Sequence, residues 1–144
     1  MKDKKDLTAP CGLDCFNCEL YSENLTNELV EVIQKKTGIP GEQVACKGCR
    51  LQDGKHFHLP VSGCATLDCV KNKNVALCCD CENFPCSFLA PTADQANRYP
   101  HNMKVYNLCR IKKVGVDNWI KDEAGQIRQK YFTGKFVVGK GQTD

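Results

Sequence analysis

Three thiols stand within eight residues in Cys11-Gly12-Leu13-Asp14-Cys15-Phe16-Asn17-Cys18, and two more sit in the short turn Cys46-Lys47-Gly48-Cys49-Arg50. Thiolate is a soft, charged ligand. Two C-x-x-C pairs on separate turns can close a tetrahedral shell around zinc, each turn giving two sulfurs. Cys15, Cys18, Cys46 and Cys49 are therefore the first candidate metal set. Gly48 can relieve backbone strain in the second turn and leaves N–H groups free to approach sulfur, which stabilises its negative charge. A C-x-x-C pair also occurs in redox dithiols, but the βαβ setting of a thioredoxin-like site is missing here.

Cys64, Cys69, Cys78, Cys79, Cys81 and Cys86 place six more thiols in twenty-three residues. The preferred second set is Cys69, Cys78, Cys81 and Cys86, with Phe84-Pro85 bending the chain back ahead of the last. Cys64 could replace one of these. Cys79 is expected to face away, because adjacent residues rarely aim at one ion and a free cysteine packs well as a small buried group. With Cys11 and Cys64 the candidate ligands number ten, two more than a pair of four-sulfur sites requires.

The same thiols allow other chemistry. Cys11-x3-Cys15-x2-Cys18 has the spacing by which radical S-adenosylmethionine enzymes hold an iron–sulfur cluster, but those enzymes resemble partial α/β barrels of about 200 residues. A chain of 144 residues without repeated strand–helix units does not fit that scaffold. An iron–sulfur electron carrier needs only the thiols, and stands as the alternative to zinc. Asp14, His56, His58 and His101 are the polar groups that a catalytic cleft could use, yet no nucleophile–base constellation is recognisable, and no catalytic residue is assigned. His56-Phe57-His58 follows the turn signal Asp53-Gly54. In a strand the two imidazoles would share a face, and this stretch reads as a surface hairpin rather than a metal site.

Several elements must position these residues. Ser22 is placed to cap a helix reaching about Lys36, with Leu25, Leu29, Val32 and Ile33 at helical spacing and Gly38 and Pro40 ending it. This amphipathic helix is expected to cover a small core. A short helix or loop links Cys69 to Cys78. Beyond Pro91 only Cys109 remains, and helices take over. One opens at Pro100 and carries Met103, Tyr106, Leu108 and Ile111 to Gly115; another begins near Asp117 with Trp119, Ile120, Ala124, Ile127 and Tyr131. These are expected to pack back over the cysteine region, supply most of the apolar core and turn their basic side chains to water. Gly134 to Asp144 reads as a frayed tail or a short strand at Phe136-Val137-Val138.

The totals set the class. Twelve cysteines are dense enough for either a disulfide scaffold or a metal domain. No apolar leader or membrane-length run is present, so a reducing, cytoplasmic setting is expected, in which thiols serve as ligands. The formal charge of +3 counts each thiol as neutral; eight thiolates around two divalent ions would turn it into −1. Residues 91–144 carry ten Lys/Arg against five Asp/Glu, while 1–90 carry ten against twelve. Without aromatic or glycine-rich recognition motifs, that surplus reads as a solvated face rather than a nucleic-acid patch.

The ordered set Cys-Gly-Leu-Asp-Cys-x-x-Cys, Cys-Lys-Gly-Cys-Arg, Gly-Cys-x4-Cys and Cys-x2-Cys-x2-Phe-Pro-Cys resembles the cysteine-rich prokaryotic family called domain of unknown function 3795. The likeness continues into Arg110-Ile111-Lys112-x-Val114-Gly115 and Trp119, covering about residues 10–121. It implies small proteins, mostly from anaerobic bacteria and archaea, with metal binding suspected and no reaction established. Cys79 and Cys109 fall outside the pattern; Cys11 and Cys64 fall within it.

The expected fold is thus small, metal-stapled and mainly α, with irregular cysteine-rich loops and few short strands, or α+β. A cysteine-rich metal-binding region at 1–90 and a helical region at 91–144 would form one compact domain. The expected cofactor is zinc, as two structural ions. The expected role is an interaction or regulatory module engaging a protein partner rather than nucleic acid or a membrane.

Overall fold

The computed structural model describes residues 3–143; Met1, Lys2 and Asp144, the last residue of the expected tail, lie outside the described residues. Helix α1 spans Asn27–Thr37, α2 Ala65–Asn72, α3 Lys104–Val114, α4 Val116–Asn118 and α5 Ala124–Thr133. A π-helical turn, Trp119–Glu123, joins the last two. Strands β1, Lys135–Val137, and β2, Gly141–Thr143, form an antiparallel hairpin with Phe136 opposite Gln142. Short 3-10 turns at Cys15–Asn17, Cys78–Asp80 and Ser87–Leu89 lie in the cysteine-bearing loops. The architecture is mainly helical with one small sheet, as the sequence suggests.

Thr26, not Ser22, caps α1, its side chain accepting the Leu29 N–H at 3.2 Å. The stretch before it is held elsewhere. Ser22 N–H donates to Cys46 O at 2.8 Å, and Asn24 Nδ2 bonds both Phe16 O and Cys18 O. These bonds hold residues 22–25 in a turn, so helical propagation starts only beyond them. No residue of α1 is fully buried: Leu29, Val30 and Ile33 are half-buried and Val32 is exposed, so the helix covers the core only partly.

The core comes chiefly from the cysteine region. Among the described residues, eleven of the sixteen buried apolar side chains precede residue 91, so the C-terminal helices complete a core that the loops themselves begin. One cluster gathers Ala9, Cys11, Leu67, Val70, Cys78, Cys79, Leu89 and Leu108. The other gathers Leu7, Phe16, Tyr21, Ile111, Trp119 and Ala124. Leu108 and Ile111 are one helical step apart on α3, which serves both clusters with one face. Trp119 is fully buried, its ring edge-on to Phe16 at 6.0 Å between centroids.

Several basic side chains expected in water turn inward. Arg128 Nη1 donates to Asp14 Oδ1 at 3.0 Å, and Arg110 makes a two-pronged contact with Glu123 at 2.7 and 2.5 Å; Lys112 stays exposed while its Nζ donates to Cys79 O at 3.1 Å. Each finds an acceptor on the element it packs against, which offsets the loss of water.

The stretch from Leu51 to Gly63 folds as successive turns rather than as a hairpin. His56 Nε2 lies 3.1 Å from Val44 O, an atom that only accepts, so Nε2 carries the proton. Its Nδ1 faces His58 Nδ1 at 2.6 Å and accepts from it. The imidazoles bond each other instead of sharing a strand face.

Candidate metal centre

The first candidate set is built from two tight turns. Cys18 N–H closes on Cys15 O at 3.1 Å, and Asn17 Nδ2 on Asp14 Oδ2 at 3.0 Å. In the second turn Gly48 has φ +92°, a conformation in which a side chain is strained, and its N–H points at Cys46 Sγ at 3.4 Å. The turns are joined by the isolated bridge between Tyr21 and Cys46, with Cys46 N–H on Leu20 O at 2.7 Å.

Around these turns the thiols sense one another. The Cys15 thiol donates to Cys49 sulfur, which pulls Cys49 down to about 7 against the opposing effect of burial. Cys15 is correspondingly held well above the ordinary thiol value by that bond, and by burial. Cys18 is a charge neighbour of both Cys15 and Cys46, and Cys46 of Cys49. The four thus feel one another electrostatically around the two turns without meeting as a closed set. Cys11 is buried beside it, pushed up by desolvation and then by Cys49 and Cys64, while Lys104 opposes. Cys15, Cys49 and Cys64 all pack against the cluster that contains Cys11.

The second candidate set surrounds a cavity. Cys69 comes from α2, Cys78 and Cys81 from the turn that follows Leu77, and Cys86 from the start of the Ser87–Leu89 turn. All four line one small space of about 20 Å³, with Lys73, Phe84 and Phe88 among its other walls. Cys78 is pushed up to about 12, first by burial and then by Cys11, Cys86 and Cys69. A thiol held protonated this firmly gives up its proton when a cation takes the proton's place. Cys78 N–H also donates to Pro10 O at 2.8 Å, so the two sets are joined through the backbone beside Cys11.

Among the described residues, no three or more His, Cys, Asp or Glu side chains are already gathered into a group that could hold a metal ion. The fold supplies neighbourhoods, and every cysteine in them is a free thiol. The donor chemistry nevertheless suits a soft or borderline cation: paired sulfurs on tight turns, the Gly48 N–H aimed at Cys46, and an ammonium at Cys81. Cys79 is 3% exposed and belongs to the apolar core, and Cys109 lies exposed on α3.

The four polar groups proposed for a cleft do not converge. Asp14 is fully buried against Arg128 and Asn17, His101 Nε2 contacts Ala90 O at 2.7 Å, and neither these nor His56 and His58 line the thiol cavity. Sequence reasoning missed Lys73, whose Nζ lies 3.3 Å from Cys81 Sγ. A lysine eight residues from its sulfur across a loop carries no local signal. Arg128 was missed likewise, its partner Asp14 being 114 residues away.

Residues 7–91 match the family described as a protein of unknown function, DUF3795. The chain belongs to the DUF3795 family. The matched stretch holds all ten candidate ligands and ends before α3, so Arg110 and Trp119 lie beyond it. No curated protein and no solved structure matches the chain. For this DUF3795 member, no helix among the described residues is long and apolar enough to cross a membrane.

Proposed function

We propose that this protein is a cysteine-coordinated metal-binding protein in which zinc is structural, and that it acts as an interaction or regulatory module. The observation that carries the proposal is that Cys69, Cys78, Cys81 and Cys86 all line one cavity of about 20 Å³. That is room for about one water-sized sphere, which suits a single ion. The two C-x-x-C turns of Cys15, Cys18, Cys46 and Cys49, joined by the Tyr21–Cys46 bridge, are the second supporting feature. Bound zinc would replace the thiol protons and tie together segments distant in sequence, adding folding free energy to that of a small core.

One observation favours the iron–sulfur alternative, as an electron-transfer or redox protein. Cys11 and Cys64 place two further thiols beside Cys15 and Cys49, more than one zinc takes. Anaerobic purification followed by elemental analysis and a visible spectrum separates the readings. Two zinc per chain and a colourless solution are expected. Iron with equimolar sulfide and a broad absorption near 400 nm, on the order expected for a cluster, would move the assignment to the alternative; a metal-free, fully folded chain would remove both.

A further inference from the structure

The contact between α2 and the second candidate set has its own chemistry. Helix α2 ends at Asn72, Lys73 follows as its cap, and Asn74 takes a left-handed conformation at φ +52° that turns the chain back towards Val75 and Cys78. This reversal sets the Lys73 side chain over the loop rather than along the helix axis. Nζ comes to 3.3 Å from Cys81 Sγ, within hydrogen-bond range for a sulfur acceptor. The same lysine lines the cavity on which Cys69, Cys78, Cys81 and Cys86 converge. Two independent features, a bond to one sulfur and a place in the wall of the space the sulfurs share, coincide at one residue.

The geometry points to Lys73 as a positioning residue of the second metal site, its ammonium donating to the Cys81 sulfur, holding that ligand in place and offsetting the charge of the thiolate shell. The inference rests on the metal-binding reading above. A divalent ion with four thiolates carries a net −2, and a resident ammonium brings the local sum to −1. A charge-assisted donor at sulfur also draws electron density from it, so Cys81 becomes less nucleophilic than Cys69 and Cys86. Asp80 and Glu82 share the open cleft outside Cys81 with Lys73. They are the competing partners for the ammonium when the thiol is protonated, and the anionic thiolate shell is the stronger one once the ion is bound. Lys71, two residues earlier, is committed to Asp53 and does not substitute.

The test uses the full, zinc-loaded chain and the variants Lys73→Met and Lys73→Arg. Zinc release to a chromophoric chelator is followed, and the order of cysteine alkylation is mapped by mass spectrometry. With Lys73→Met, one of the two ions should be released at about tenfold lower chelator concentration, the range typical of lost outer hydrogen bonds to ligands. Cys81 should move from late to early in the alkylation order, while Cys15 and Cys49 keep their places. Lys73→Arg should restore most of both effects, which a purely steric role for the methylene stem would not distinguish from Met. Unchanged release and unchanged alkylation order in Lys73→Met overturn the inference while leaving the metal reading intact. A wild-type chain that holds no zinc overturns the metal reading and this inference together.

Discussion

Arg128 Nη1 lies 3.0 Å from Asp14 Oδ1, joining α5 to the residue that opens the first thiol turn across 114 positions of sequence. Asp14 is fully buried and Arg128 half-buried, with 18% of its side chain exposed. Burial raises the Asp14 carboxyl above its ordinary value, and Arg128 and then Asn17 pull it back down. Removing one partner strands the other. Arg128→Met should therefore destabilise the protein by about 3 kcal/mol, since it leaves a buried carboxylate with only Asn17 for company. The double variant Asp14→Asn/Arg128→Met should recover part of that loss. Urea midpoints measure both, and a single variant within ~0.5 kcal/mol of wild type would show that the pair carries no structural weight.

The Arg110–Glu123 contact makes the C-terminal helices sensitive to acid. The Arg110 guanidinium holds the Glu123 carboxyl below its ordinary value, mainly through their hydrogen bonds. A carboxylate with a lowered folded value contributes stability in full above the value it has in the unfolded chain. That contribution fades as pH falls through the folded value. Glu123→Gln should accordingly lower stability at pH 7 and flatten the decline below about pH 4.5, the ordinary value of the group. Denaturation midpoints of wild type and Glu123→Gln at pH 7, 4.5 and 3, compared at equal metal content, give the two slopes; parallel slopes would exclude this pair as the origin.

Trp119 offers a reporter for the first thiol set. It is the sole tryptophan, fully buried, and its ring meets Phe16, the residue between Cys15 and Asn17. If metal holds the Cys15 and Cys46 turns together, a strong chelator should free Phe16 and shift tryptophan emission to longer wavelength, and Cys15→Ser should do so without chelator. Restored zinc should reverse the first shift only. Emission indifferent to chelation would mean that the turn around Phe16 stands without an ion.

Gly12 is a steric bottleneck. It sits at φ +87°, and a Cβ there would fall 2.8 Å from Leu108 Cγ and 2.9 Å from Lys104 O. Its carbonyl accepts from buried Asn107 Nδ2 at 2.7 Å. Gly12→Ala combines a left-handed backbone with overpacking against α3, for a loss of roughly 2–4 kcal/mol. Thermal unfolding reads it directly, and an unshifted midpoint would show that α3 can retreat from the Cys11 loop.

Part of this arrangement is visible in the sequence because it is local. C-x-x-C spacing forces a turn, Pro100 and Gly115 bracket α3, and the apolar spacing from Trp119 to Ile127 marks a helix despite Gly125. What escaped depends on distant partners. Ser22 has the chemistry of a cap, but Cys46 O claims its backbone N–H, and Thr26 takes the role. The apolar stripe of α1 reads as a core face, yet Leu29, Val30 and Ile33 are only half-buried and Val32 is exposed. The π-helical turn at Trp119–Glu123 seats the indole inside and aims Glu123 at Arg110, and no periodicity announces it. Arg128 reads as one of the solvated basic side chains and Asp14 as a group for a cleft until the fold brings them together.

Helix α1 is anchored at both ends beside the thiol turns, by Asn24 ahead of it and by Cys46 beyond it, and holds no fully buried residue between. That makes it a handle. Foreign sequence, a fluorophore or even new chain termini placed around Gly38 would ride on the outside of the molecule, leaving Cys15, Cys18, Cys46 and Cys49 to find one another as before.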